Sequence, residues 1–182
     1  MVFQLSIDGA PTVIAEKDLI GLRSQQLDVA EAQAWITCDA AGGQVLFVGT
    51  VRRLTDPSNT GYAPVSHIGR ESESNKIVET VALEYDAYPP LALKAMQELV
   101  QEIRTQENLE RVVMLHRTGH LKIGEPAILI AASSQHRKAA FRAVESMIDL
   151  VKQRIPIWKK EILADGNQYW VHPKPDDSLA DK

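Results

Sequence analysis

The sequence predicts an α+β fold on three observations. Apolar residues recur at helical spacing in three stretches, and they alternate or run together in several shorter, strand-like ones. The two kinds of segment are mixed along the chain with no internal repeat. A chain of 182 residues with 45% hydrophobic residues is long enough to bury one core, so residues 1–172 are expected to form a single domain.

Residues 2–8 read as a first strand. "LDVAEAQAWITC" (27–38) reads as a helix with Asp28 at its N-cap, and "GGQVLFVGTVRR" (42–53) as a strand introduced by two glycines. The segment 54–76 is rich in Ser, Pro, Gly and Asn and reads as a long, mobile surface loop. "IVETVALEYDAY" (77–88) alternates as a strand does. "PPLALKAMQELVQEIRTQEN" (89–108) carries Pro at its start and apolar residues at helical spacing, so it is an amphipathic helix. "RVVMLHRTG" (111–119) and "AILIAAS" (127–133) read as strands joined by the turn "GHLKIGEP". A third helix is expected from about Gln135 to Arg154, stopped by Pro156. "IWKKEILADGNQYWVH" (157–172) reads as a hairpin turning at Asp165-Gly166, and the polar tail 173–182 as disordered.

Composition excludes several classes. A formal charge of -4 argues against a general nucleic-acid binder, so any basic cluster is a local feature. Cys38 is the only cysteine, which rules out an intramolecular disulfide and a cysteine-rich metal site. It follows "AWIT" at a helix C-terminus with Asp39 beside it, surroundings that disfavour an anion, and so reads as a small apolar residue rather than a sulfur carrier. The N-terminus lacks the pattern of a secretory signal, and no apolar run reaches the roughly 20 residues that span a bilayer. The chain reads as soluble and cytoplasmic.

The chemistry concentrates in two basic stretches. In "SSQHRKAAFRAVESMIDLVK" (133–152), Ser133 or Ser134 is placed to cap the third helix, and His136 and Arg137 lie in its first turn. Ala140, Val144, Met147, Ile148 and Val151 define the inward face, with His136 and Arg137 flanking it. Two readings stay open: side chains snorkelling along the core edge, or an anion pocket at the helix N-terminus. In "MIDLVKQRIPIWKKEIL" (147–163), Lys152 and Arg154 complement the helix C-terminus, but Lys159 and Lys160 lie beyond the proline and want another explanation. Arg52 ends the strand "LFVGTVR". His116 and His120 flank a turn without acidic or cysteine ligands at zinc spacing, so no metal is assigned. Glu84 and Asp86, two apart on a strand, form at most a weak paired-acid arrangement. There is no Gly-x-Ser-x-Gly elbow and no Gly-rich phosphate loop. The lysines are the strongest chemical groups, being able to serve as acid, base or amine nucleophile. From the residues alone, the chain is an anion-handling enzyme or binding module.

Six segments in order, "FVGTVR" (47–52), "LEYDAY" (83–88), "HRTGHLKIGE" (116–125), "SSQHRKAAF" (133–141), "IDLVKQRIPIWKKE" (148–161) and "DGNQYWV" (165–171), resemble the large, catalytic subunit of molybdopterin synthase. The resemblance spans about residues 43–172, and the K-x-R-x-P-x-W-K-K-E run is its most specific part. It implies an α/β hammerhead-type fold with a small antiparallel β subdomain, and a homodimer at the centre of a heterotetramer. It implies sulfur transfer to cyclic pyranopterin monophosphate, forming the dithiolene of molybdopterin. The sulfur would come from the C-terminal Gly-Gly thiocarboxylate of a small ubiquitin-like partner. Neither a cofactor nor a metal is implied, and neither a nucleic acid nor a membrane.

Carried over residue by residue, the resemblance places a substrate site at Thr50, Val51, Arg52, His136, Arg137, Lys152, Lys159, Lys160 and Glu161, with Lys152 and Lys159 catalytic. Thr50 stands where some relatives carry lysine. The expected roles are a phosphate and pterin cradle from Arg52, His136 and Arg137, with Lys152 near the thiocarboxylate and Lys159 opposing charge at the sulfurated carbon. The two lysine roles are interchangeable on this reading. A local basic site lowers the cost of bringing an anionic substrate and an anionic tail together. The alternative is a non-catalytic module that binds a phosphorylated ligand or a ubiquitin-like tail.

Overall fold

The computed structural model describes residues 3–7, 10–55, 61–64 and 78–172. In chain order its elements are β1 (Phe3–Ile7), β2 (Ala10–Ile14), β3 (Asp18–Arg23), α1 (Val29–Ile36), β4 (Gly43–Thr50), β5 (Leu54–Thr55), β6 (Gly61–Pro64), β7 (Val78–Ala87), α2 (Pro89–Gln106), β8 (Arg111–Arg117), β9 (Gly119–Lys122), β10 (Pro126–Ser134), α3 (Arg137–Arg154), β11 (Ile157–Leu163) and β12 (Gln168–His172). They form two sheets, ordered β1-β2-β3-β8-β10-β4 and β5-β7-β11-β12-β6, with β9 added on β7. This is the expected α+β architecture.

The first sheet is covered on both faces, and its inner strands are apolar for that reason. Ile20, Leu22, Val112, Met114, Ile128, Ile130 and Ala132 pack towards α2 and α3. Their alternates Leu19, Val113, Leu115, Leu129 and Ala131 pack towards α1. The helices form where their ends are signalled. The Asp28 carboxylate accepts from the Ala30 and Glu31 amides at 2.7 and 3.3 Å, as expected of the N-cap. Pro89 opens α2. Helix α3 buries Ala140, Val144, Met147 and Val151 of the expected face, with Ile148 partly buried and Ala143 buried beside them.

Strands β2 and β3 were not expected, because Pro11, Asp18, Gly21 and Arg23 interrupt the apolar pattern. Tertiary contacts remove the cost of the charges. Asp18 is buried but accepts from Arg104 of α2 at 2.9 and 2.5 Å, and Arg104 also donates to the Leu109 carbonyl at 2.8 Å. Arg23 is buried against Thr12, with Glu31 3.7 Å away.

The segment expected as an unbroken loop contains β5 and β6, which pair with β7 and β12. Short cross-strand pairings of this kind leave little apolar signal, which is why composition read as loop. The rest of that segment (56–60 and 65–77) and the tail 173–182 lie outside the described residues. The turn "GHLKIGEP" likewise contains β9, paired with β7. The hairpin of β11 and β12 forms as expected, with Gly166 at φ 85° in its turn.

One close approach fixes where α3 begins. A Cβ at Gly43 would lie 2.8 Å from the Arg137 Cα, and one at Gly42 would lie 2.6 Å from the Gln135 carbonyl oxygen. The glycine pair therefore lets the start of β4 pack on the backbone that leads into α3. Gly43→Ala is expected to lower stability by about 1–3 kcal/mol, the scale of forced overpacking, as read by urea denaturation. A midpoint equal to that of the wild type would mean that the α3 start yields freely.

Candidate active site

Strand β11 lies between β7 and β12, and its period of two sorts the basic run that follows the proline. Lys159 and Glu161 face one way, while Trp158, Lys160 and Ile162 face the other. On the first face Lys159 Nζ lies 2.6 Å from Glu161 Oε1; the lysine side chain is 28% exposed and the glutamate 1%. The Thr80 hydroxyl donates to Glu161 Oε2 at 3.1 Å, and Thr55 lies 3.2 Å from Thr80, both threonines being buried. A buried carboxylate is tolerated when it is paired and hydrogen-bonded, and Glu161 meets both conditions. Thr80 reaches it through a register shift between Ile162 and Leu163, which moves Thr80 onto the face of Leu83 and Tyr85.

Tyr85 pairs with Lys159 across the strands. Burial, with the Glu161 charge adding to it, pushes the Tyr85 phenol up to about 12, so it stays protonated. Its ring meets His116 edge-on at 4.9 Å between centroids. His116 is buried and donates through Nδ1 to the Arg117 carbonyl at 2.8 Å. Burial pulls its imidazole down to about 4, against the opposing effect of that carbonyl. His116 is therefore neutral packing at the back of the site. His120 is exposed on β9.

On the opposite face Lys160 pairs with Glu84 at 2.5 Å and lies 5.5 Å over the Trp170 ring. Glu84 is thus engaged, and Asp86 accepts from the Ala87 amide at 2.8 Å, so the two do not form a shared acid pair.

The other expected residues fall into two places. Val51 is buried with Leu83, Leu121 and Ala127, and Tyr85 packs against that cluster. The Val51 amide donates to the Glu125 carbonyl at 3.1 Å, and its carbonyl accepts from Gly124 at 2.8 Å. The Arg53 carbonyl accepts from the Thr80 amide at 2.7 Å. These contacts seat exposed Arg52, with Thr50 just before it, beside the strand that faces Lys159 and Glu161. Lys152 is exposed in the last turn of α3, which ends at Ile155 and Pro156 and feeds β11.

His136 and Arg137 stand elsewhere. His136 is the N-cap of α3 with no side-chain cap bond, and both residues are exposed. Ser134 braces this turn, donating to the His136 carbonyl at 2.9 Å and accepting from the Ala140 amide at 3.2 Å. Both side chains are exposed, with the Arg137 backbone packed against the Gly43 end of β4. They sit at the Gly43 end of β4 and Arg52 follows its Thr50 end, a separation of about 23 Å at the rise of a strand. Arg137 and Lys152, fifteen residues apart on one helix, are about 22 Å apart. One chain therefore brings Val51, Arg52, Lys159 and Glu161 into one neighbourhood and keeps His136 and Arg137 out of it. Thr55, Thr80 and Tyr85 were not singled out from the sequence. A β-bulge and cross-strand register bring them to the site, and no local motif signals either.

The α+β fold thus carries a partly buried lysine on a buried carboxylate with exposed cations nearby, an arrangement able to face an anion. The family model described as MoaE protein matches residues 22–154. The chain is 35% identical over 154 residues to "Molybdopterin synthase catalytic subunit 1" of Mycobacterium tuberculosis, covering 85% of this chain and 90% of that one. The crystal structure of molybdopterin synthase from Staphylococcus aureus superposes with a TM-score of 0.65 at 32% identity, covering 82% of this chain and 93% of that one. A complex of subunits 1 and 2 of molybdopterin-converting factor from Helicobacter pylori shares the fold, with a TM-score of 0.59 at 21% identity over 82% and 88% of the two chains. The chain belongs to the MoaE family of molybdopterin synthase catalytic subunits. It is a sulfur-transferring enzyme of molybdenum cofactor biosynthesis, which decides against the binding-module alternative. Among the described residues no helix is long and apolar enough to cross a membrane.

His116 sets a pH dependence of folding. Its pKa is lower in the folded chain, so the unfolded chain binds more protons between about 4 and 6.5. Stability is full above that window and falls as the pH drops through it, by about 3 kcal/mol in all. Urea unfolding at stepped pH is expected to show this slope, and His116→Phe to flatten it between pH 6.5 and 4.5. An unchanged slope in the variant would assign the effect to other groups.

Proposed function

We propose that this chain moves sulfur from the C-terminal Gly-Gly thiocarboxylate of a small ubiquitin-like subunit onto cyclic pyranopterin monophosphate, giving the dithiolene of molybdopterin. The observation that carries this reading is the Lys159–Glu161 pair, a cation held on a buried anion beside exposed Arg52. Transfer needs the thiocarboxylate sulfur to bond to a substrate carbon as the C–O bond there breaks and its oxygen leaves with a proton. Water then splits the acyl–sulfur bond, leaving the sulfur on the substrate and a carboxylate on the partner. Both steps move negative charge among groups that are already anionic. A positioned ammonium lowers that cost and holds a transferable proton. Lys159 takes the role beside the sulfurated carbon and Lys152 the role beside the incoming tail. Arg52 and Arg137 suit bidentate contact with phosphate, and His136 completes that cradle. Lys160 contributes charge from the opposite face. The Helicobacter pylori complex supports a small-subunit partner. A cytoplasmic location belongs to the same reading.

The two separated clusters support a homodimer. Strand β4 ends the first sheet, and among the described residues its second edge has no strand partner. Antiparallel pairing of two β4 edges about a twofold axis would set the Gly43 end of one copy against the Thr50 end of the other. His136 and Arg137 would then approach Arg52 of the second copy, so that each site draws on both protomers, within a heterotetramer with two small subunits.

Purified chain, thiocarboxylated partner and cyclic precursor are expected to yield dithiolene product. Lys159→Arg and Lys152→Arg, which keep charge but not proton transfer, are expected to lose at least about 100-fold in turnover. Full activity in both variants would remove the lysines from the chemistry. Arg52→Ala and Arg137→Ala are expected to weaken precursor binding by roughly 1.5–3 kcal/mol each, read without partner. If the composite dimer holds, a mixture of these two weak-binding variants, after subunit exchange, regains tight precursor binding through one intact hybrid site. No recovery would confine the site to single chains.

A further inference from the structure

Lys159 is held from one side by Glu161, and Glu161 is held in turn by a hydroxyl that comes from another strand. That hydroxyl belongs to Thr80, whose own neighbour is Thr55 on β5. The backbone of Thr80 donates to the Arg53 carbonyl at 2.7 Å, so one residue touches both the carboxylate and the segment that bears Arg52. Thr80 is 1% exposed and Thr55 2%, so neither hydroxyl is positioned to meet substrate. A hydroxyl buried at that depth is retained for the bond it makes.

We propose that Thr80 is a positioning residue for sulfur transfer. Its hydroxyl fixes the Glu161 carboxylate, and through it the Lys159 ammonium, while its amide fixes the approach of Arg52. The β-bulge that turns Thr80 inward makes both contacts possible from one residue. Tyr85 and Tyr169, the cross-strand partners of Lys159 and Glu161, complete the surroundings of the pair. Without the Thr80 bond the carboxylate loses one of its anchors and the ammonium is held less firmly; a misplacement of about 1 Å costs on the order of 100-fold in rate.

The inference rests on the sulfur-transfer reading for its kinetic test, and a second test stands apart from that reading. Thr80→Val keeps the shape and removes the hydroxyl, whereas Thr80→Ser keeps the hydroxyl and removes a methyl. With thiocarboxylated partner and cyclic precursor, Thr80→Val is expected to lose roughly 10- to 100-fold in kcat with KM little changed, and Thr80→Ser to stay near wild type. Independently, the full chain is treated with an acetylating reagent and each lysine is followed by mass spectrometry. Lys159 is expected to be modified several-fold faster in Thr80→Val but not in Thr80→Ser, with exposed Lys94 as the internal reference. Equal Lys159 rates in wild type and Thr80→Val would overturn the proposal, as would a Ser variant impaired while the Val variant is intact, because packing would then be the role. A labelling change without detectable sulfur transfer in wild type would keep the positioning role and sink the reaction assigned to the site.

Discussion

The second sheet is organised by one requirement, that the Glu161 carboxylate, 1% exposed, must not be left without donors. Lys159 two residues along the same strand supplies the opposite charge, and Thr80 from the neighbouring strand supplies a hydrogen bond. Neither arrives by sequence proximity alone. Strand alternation sets Lys159 on the correct face, and the shift between Ile162 and Leu163 sets Thr80 there. Burial, with the Glu161 charge adding to it, keeps the Tyr85 phenol protonated, and the Tyr85 ring backs onto neutral His116. A half-exposed ammonium with a rigid, dry support behind it is a group that can face an anion without collapsing onto a flexible counter-ion.

Strand β4 governs the rest of the site by its length. Its Gly43 end packs on the backbone entering α3, where His136 and Arg137 emerge, and its Thr50 end leads to Arg52. A strand is stiff along its axis, so no side-chain rearrangement closes a gap of about 23 Å. One chain by itself therefore keeps these two sets of cations apart. The first sheet supplies the rigidity for this division. Helices α2 and α3 pack on one face and α1 on the other, and Arg104 pins α2 to buried Asp18.

Membership of the MoaE family fits this arrangement without depending on it. The family model covers residues 22–154 and so stops before β11, leaving the Lys159–Glu161 pair to the structure. Among the described residues, several basic side chains are engaged in ordinary surface pairs. Arg142 with Glu107 and Arg154 with Glu102 are exposed examples that contribute little to stability. Arg52, His136, Arg137 and Lys152 are exposed and have no carboxylate partner among the described residues, as is also true of Lys138.

The sequence by itself determined what depends on near neighbours. Helix spacing marked the buried face of α3, Asp28 marked the start of α1, and Asp165-Gly166 marked the β11–β12 turn. It also marked the basic residues, since their order along the chain carries the family resemblance. Only the tertiary structure decided which of them meet. Strand β3 was illegible because the partners of its buried charges, Asp18 and Arg23, include residues of α1 and α2. Thr80 was illegible because a bulge, not a motif, turns it to Glu161, 81 residues away. Local backbone preference acts over a few residues and can be read in order. The pairing of a buried charge acts across strands, and register is fixed only once the sheet has formed.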